Sequence, residues 1–151
     1  MSENTLDLNK IHKEFAINYN NTSWDYFEMK NRTPEEDVEM IHTAHTSRFH
    51  WGIVGDARNL ERGEWLVSRA YAEAGVEERA VYHGQLCLDI CIKNGIGDFD
   101  LAFAYEGLTR AYKLGSNKAA YEHHKKLALE TCEAIEKDED KKYFLSQINP
   151  L

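Results

Sequence analysis

The sequence predicts an all-α protein, a short stack of antiparallel hairpins made of about six or seven helices. Three observations predict it. A stretch of the chain is written twice, 41 residues apart, so that Ser68-Arg69-Ala70-Tyr71 aligns with Thr109-Arg110-Ala111-Tyr112. His83/His124, Leu86/Leu127, Leu88/Leu129, Asp89/Glu130 and Cys91/Cys132 follow in the same register without a gap. A fixed period of this length is how stacked helical hairpins appear in a sequence. Apolar residues recur at helical spacing, and strand-like alternation is nearly absent. Connections of about two to four residues then force successive helices to pack antiparallel.

Taken in order, Leu8, Ile11, Phe15 and Tyr19 mark one face of a first helix, expected to end near Asn20-Asn21. Trp24 to Met29 reads as a short aromatic segment of one or two turns. Thr33-Pro34-Glu35-Glu36 is a helix start: Thr33 caps, Pro34 suits the first turn, and Glu36 completes a capping box. That helix runs through Met40, Ala44 and Phe49 to about Ile53, and Gly55 ends it. The first copy of the repeat follows, with helices over about Ala57–Ala74 and Glu77–Asn94, each stopped by a glycine, Gly75 and Gly95. The second copy begins at Asp98, a candidate cap, and reaches Leu114. Its partner helix runs from Asn117 to about Glu136, and Asp138 is expected to cap a short last helix through Tyr143, Phe144 and Ile148.

The whole chain, 1–151, reads as one domain. Residues 1–55 supply N-terminal capping helices, 57–136 two hairpins, and 138–149 a C-terminal capping helix. Leu8, Ile11, Phe15, Trp24, Phe27, Met40 and Phe49 are expected to cover the open end of the first hairpin, since repeat arrays need such caps. An apolar face left uncovered would pair with its symmetry mate, so a homodimer is expected.

A net charge of −8 argues against general nucleic-acid binding, which runs on phosphate neutralisation. No apolar run approaches the length of a membrane span. Met1 to Lys10 carries Glu3 and Asp7 and lacks an apolar core, so it is not read as a secretory signal. Three cysteines are an odd count, and Cys87 and Cys91 lie one helical turn apart, which disfavours a disulfide framework. The setting expected is reducing and cytoplasmic.

Residues 57–136 resemble the tetratricopeptide repeat family. The first helix of that motif carries a large residue, then a leucine and a small residue, then a tyrosine. This chain offers Glu64, Val67, Ser68 and Tyr71, then Tyr105, Leu108, Thr109 and Tyr112. Ala80, Cys87 and Ala128 fit the small positions of the second helix; Tyr121, Gly84 and Lys125 depart from them, and the period is longer than the family's. The resemblance implies a right-handed stack with lengthened helices, whose first helices line a concave groove.

On that pattern the groove residues are Arg62, Trp65 and Arg69 in one copy, and Phe103, Glu106, Arg110 and Lys113 in the other. Each set has helical spacing and shares one face. Arginine forks grip carboxylates bidentately, and Trp65 and Phe103 would hold an apolar side chain beside them. The expected function is a non-enzymatic interaction module for an acidic or carboxylate-bearing peptide or protein segment, without cofactor or metal. The structural alternative is that Asp56, Glu61, Glu64, Asp98 and Asp100 pair with these arginines and tie hairpins together. A second class of reading is a helical enzyme or small-ligand protein, with His50, Glu64, Asp98 or Glu106 as acid or base in a closed pocket between the N-terminal helices and the repeats.

Other constellations read as structure. His42, His45 and His50 share a helix, yet His50 lies well around it from His45, and no His-Glu-x-x-His pattern is present. His83, Cys87 and Cys91 step by fours along a stripe that also holds Val76, Ala80 and Ile90, so they are assigned to the core, where cysteine behaves as a small hydrophobe. His124 repeats His83, which points to packing in each hairpin. Gly95-Ile96-Gly97 precedes a helix but follows no strand, and Asp98 and Asp100 would repel phosphate there, so it reads as a turn.

Overall fold

The computed structural model describes residues 2–151, with side chains described from Asp7 onward; the composition of residues 1–6 read above lies outside that side-chain description. Seven helices follow one another: α1 Ser2–Glu28, α2 Pro34–Val54, α3 Ala57–Glu73, α4 Glu77–Lys93, α5 Asp98–Lys113, α6 Lys118–Glu133 and α7 Asp138–Ile148. No strand occurs among the described residues. The all-α hairpin stack is therefore present.

Local chemistry accounts for most of the ends. Thr33 accepts from the Glu36 N–H while Glu36 reaches back to the Thr33 N–H, the expected capping box. Asp56 and Asn59 make the same reciprocal pair at the start of α3. Asn117 accepts from the Ala120 N–H and starts α6. Gly75 and Gly95 have φ of +78° and +64°, a region open to glycine at little cost. Each closes a Schellman motif, with Val76 N–H donating to Tyr71 O and Ile96 N–H to Cys91 O, both at 2.9 Å.

Several expectations are corrected. The break near Asn20-Asn21 is absent, and α1 runs unbroken to Glu28. Thr22 and Ser23 bond back to the carbonyls of Asn18 and Tyr19, at 3.0 and 2.8 Å, which satisfies their hydroxyls inside the helix. Asp98 is not a cap. It takes φ +54°, and its carboxylate accepts the N–H of Phe99 at 2.6 Å and that of Glu136 at 3.4 Å, tying the start of α5 to the end of α6. Asp138 makes no capping bond either, and Lys137 occupies that position.

The N-terminal segment is also more than a cap. Helices α1 and α2 pack on each other as closely as α3 on α4 and α5 on α6, so three hairpins stand in a row with α7 closing the far end. Ser23 Oγ meets Thr43 Oγ1 at 2.9 Å, Ser47 Oγ donates to Ala16 O at 2.7 Å, and Ala16 and Ala44 are fully buried between them. Of the residues expected to cover the first repeat, Trp24, Phe27 and Met40 do pack against Leu66, Val67 and Ala70. Leu8, Ile11, Phe15 and Phe49 do not, and remain exposed. The core is segmented: one apolar group joins α1, α2 and α3, one α4 and α5, and one α5, α6 and α7.

Candidate functional site

Curvature places the site. The odd-numbered helices approach one another in sequence, α1 to α3, α3 to α5 and α5 to α7, while the backbones of α2, α4 and α6 stay apart, with His45 of α2 reaching His83 of α4 through its ring at 5.3 Å. A stack whose first helices crowd and whose second helices splay is concave on the first-helix side. On that side lies a pocket of about 210 Å³ lined by Asn20 and Trp24 of α1, Glu61, Arg62, Trp65 and Leu66 of α3, Phe99, Asp100 and Phe103 of α5, and Tyr143 of α7; Cys87 of α4 also reaches it.

Aromatic rings make most of the wall. Trp24 stacks on Trp65 with ring centres 5.8 Å apart, and Phe103 meets Trp65 edge-on at 5.9 Å. Phe99 lies 4.6 Å from Phe103, and Tyr143 lies 5.8 Å from the same ring. Such offset and edge contacts are the favourable aromatic geometries. Trp65 sits at the junction, packing against all three of the main apolar groups.

The main ion pair of the wall is Arg62 with Asp100, and Arg58, outside the lining, approaches the same carboxylate. Arg62 Nε and Nη2 donate to the two oxygens of Asp100 at 2.7 and 3.1 Å, a bidentate fork. Arg58 Nε lies 3.7 Å from Asp100 Oδ2. Both arginine side chains are 56% exposed, whereas Asp100 is buried, so the cations face outward. The Asp100 bond raises the Arg62 pKa against its partial burial, with Glu61 and Asp56 adding to the effect.

Behind the rings, Trp65 is held by a buried acid. Its Nε1–H donates to Glu106 Oε2 at 3.0 Å, and Glu106 Oε1 accepts from Arg110 Nη2 at 2.6 Å and Nε at 3.1 Å. Gly107 lets the indole come this close, since a Cβ there would stand 3.1 Å from Trp65 Cδ1. Arg69 lies over the rings of Trp24, Phe27 and Trp65 at 5.2 to 5.9 Å and donates from Nε to Glu73 at 2.8 Å. Its Nη1 is buried with no partner among the described residues.

A buried carboxyl lies at the pocket's floor. Glu61 Oε2 is 2.8 Å from Cys91 Sγ, and among the described residues no arginine or lysine bonds to it. Burial, then the Cys91 bond and the neighbouring Asp100, push the Glu61 carboxyl up to about 10. Glu61 is therefore neutral at pH 7, a proton being cheaper than a buried charge without a counterion.

The expected groove residues thus divide. Arg62, Trp65 and Phe103 come together in the pocket. Arg69 is 12% exposed and ties α3 to α1; Glu106 is fully buried as a strut for Trp65. Arg110 and Lys113 line a separate depression of about 330 Å³ with Ala72, Glu73, Leu114 and Leu151, and Lys113 Nζ donates to Pro150 O at 3.2 Å. The residues of the enzyme reading do not converge. His50 meets His12, Glu64 takes Arg48 and His83, Asp98 binds Glu136, and Glu106 holds Trp65.

The repeated histidines pack alike, His83 stacked on Tyr71 and His124 on Tyr112. His45 Nε2 bonds the Tyr71 hydroxyl at 2.9 Å. Cys87 and Cys91 are buried with Leu88 and Leu108, the core position read for them. Sequence reasoning missed Trp24, Phe99 and Tyr143 as pocket residues. Phe99 and Phe103, four apart on α5, were the available signal. No helix among the described residues is long and apolar enough to cross a membrane. Compared with protein-family models, curated proteins and solved structures, the chain finds no match.

Proposed function

We propose that the chain is a non-enzymatic interaction module whose concave pocket takes one apolar side chain of a peptide or protein segment. The segment's carboxylate meets Arg58 and Arg62 at the rim. The observation that carries this reading is the meeting of five aromatic rings from four helices beside two guanidiniums that share a single carboxylate. Size favours an anchor side chain over an enclosed cofactor: about 210 Å³ falls below the ~300–1,000 Å³ of pockets that bury whole small molecules. The tetratricopeptide-like reading of residues 57–136 belongs to the same proposal, because first helices line the groove in such arrays. Three free buried cysteines fit a reducing, cytoplasmic setting.

The test is selection of peptides from a random display library, with each selected peptide titrated by tryptophan fluorescence. Selected peptides should share an apolar residue next to an acidic group or a free C-terminus. Phe99→Ala and Arg62→Ala should each weaken them about tenfold, near 1.4 kcal/mol. Selected peptides that bind both variants as tightly as the parent would overturn the reading.

A further inference from the structure

We propose that Glu61, Cys87 and Cys91 form a binding site for one soft divalent cation of the zinc class at the floor of the aromatic pocket. One ligand atom from each residue lies within 4.8 Å of the others, and all three side chains are buried. Tetrahedral zinc, with sulfur at ~2.3 Å and oxygen at ~2.0–2.2 Å, sets its ligand atoms about 3.5–4 Å apart. The trio needs only a small adjustment to reach that. The one proton that bridges Cys91 Sγ and Glu61 Oε2 across 2.8 Å leaves, along with the others on the three ligands, and the pair opens around the ion. Cys87 and Cys91 stand four apart on α4, so both sulfurs lie on one helix face, and Glu61 closes the set from α3.

The internal repeat separates this reading from ordinary packing. One period on, Glu61, Cys87 and Cys91 become Ala102, Ala128 and Cys132, and those three are also buried. The second hairpin therefore closes the same place with alanine, alanine and cysteine. Packing does not ask for Glu61 or Cys87. A carboxyl buried without a cationic partner lowers stability, and Arg62, the nearest fork, is committed to Asp100. What the first hairpin has and the second lacks is a set of one carboxylate and two thiolates, a donor set suited to zinc. His83, the other ligand-type residue of the stripe, is engaged by Glu64 at 2.7 Å and is not needed.

Three protein ligands leave a fourth position. Glu61 and Cys87 both line the pocket, so that position faces it, where water or a carboxylate from a bound segment completes the tetrahedron. Binding releases the protons of both thiols and of the carboxyl to solvent. The ion offsets two of the resulting negative charges, and Arg58 and Arg62 stand beside the site.

The test uses the full chain, stripped with a chelator and titrated with Co²⁺ alone, followed by Zn²⁺. One Co²⁺ per chain should bind with an intense thiolate-to-cobalt absorption band, and an equivalent of Zn²⁺ should bleach it. Glu61→Ala with Cys87→Ala copies the second hairpin's core, so it should keep a cooperative melt while the band disappears. Cys132→Ser, in a different part of the core, should keep the band. If the double variant melts without cooperativity, Cys87→Ala alone serves as the comparison. A parent chain with no thiolate band overturns the proposal. So does a band that survives in the folded variant or vanishes with Cys132→Ser.

Discussion

Trp65 and Glu106 hold the same place in consecutive copies of the repeat, and the indole N–H of the first donates to the carboxylate of the second at 3.0 Å. The copies differ where they touch. Arg110 neutralises Glu106 from the next turn of α5, so the line Arg110–Glu106–Trp65 fixes one ring of the pocket from behind. A residue expected to grip a ligand thus acts two bonds removed, by orienting the side chain that lines the site.

Glu106→Gln should destabilise the chain by about 1–3 kcal/mol, because Arg110 loses a buried anionic partner and Trp65 a charged acceptor. A urea titration at constant m-value reads this directly. The same substitution should shift tryptophan emission, because Trp65 is freed to move. Arg62→Ala, which leaves Trp65 and Glu106 intact, should not shift it. Equal shifts from both would mean that Glu106 does not position the ring.

Arg32 should be among the most costly side chains to remove. Its Nε donates to Asp37 at 2.7 Å, Nη1 to Tyr26 O at 3.0 Å, and Nη2 to Glu73 O at 3.1 Å and Glu73 Oε2 at 3.2 Å. One nearly buried fork joins the end of α1, the start of α2 and the end of α3. Arg32→Ala should cost roughly 2–4 kcal/mol, and Arg32→Lys most of that, since an ammonium cannot present the planar fork. Thermal melts of the three proteins test it; a lysine variant as stable as the parent would show that charge alone suffices.

How much of this was legible follows from what sequence encodes locally. The caps at Thr33 and Asn117 and the stops at Gly75 and Gly95 were readable, because each depends on a few neighbouring residues. Asp98 misled for the same reason. Its carboxylate answers to Glu136, a partner that only the fold brings near. Helical spacing put Arg62, Trp65 and Arg69 on one face and Phe103, Glu106, Arg110 and Lys113 on another. The repeat resemblance set the two faces in one groove, yet neither told which arginines would find carboxylates first. Asp100 and Glu73 were within reach of several, and tertiary geometry chose. Trp24 and Tyr143 arrive from helices outside the repeat, where no period points to them.

The exposed apolar stripe gives a prediction about assembly. Phe15 and Phe49 are 43% and 65% exposed, with Leu8 and Ile11 on the same helix as Phe15. If a second copy covers this end, as expected of an uncapped hairpin face, sedimentation velocity should give a dimer at micromolar concentration. Phe15→Ser with Phe49→Ser should give a monomer of unchanged helicity. A parent chain that sediments as a monomer at every concentration leaves the stripe without that role.

Glu61 makes stability depend on pH with a definite sign. Its carboxyl ordinarily titrates at 4.5 and is held up to about 10 in the folded chain, chiefly by burial. Between those values the folded state carries a proton that the unfolded state lacks, so stability from this group is complete below pH 4.5 and is lost as pH rises toward 10. Glu61→Gln keeps the shape and removes the titration. With a chelator present, the variant and the parent should match near pH 4. The variant should gain steadily above that, by at most ~1.4 kcal/mol per pH unit, which sets a ceiling of about 5 kcal/mol at pH 8. Urea midpoints for both proteins from pH 4 upward provide the measurement. Groups remote from Glu61 cancel in the difference. Cys91, which bonds it and is itself lowered to about 7, does not, so the slope is read below pH 6. A gap that stays flat there would mean Glu61 is ionised in the fold. That outcome would require Arg58 or Arg62, both held by Asp100, to turn toward Glu61 instead.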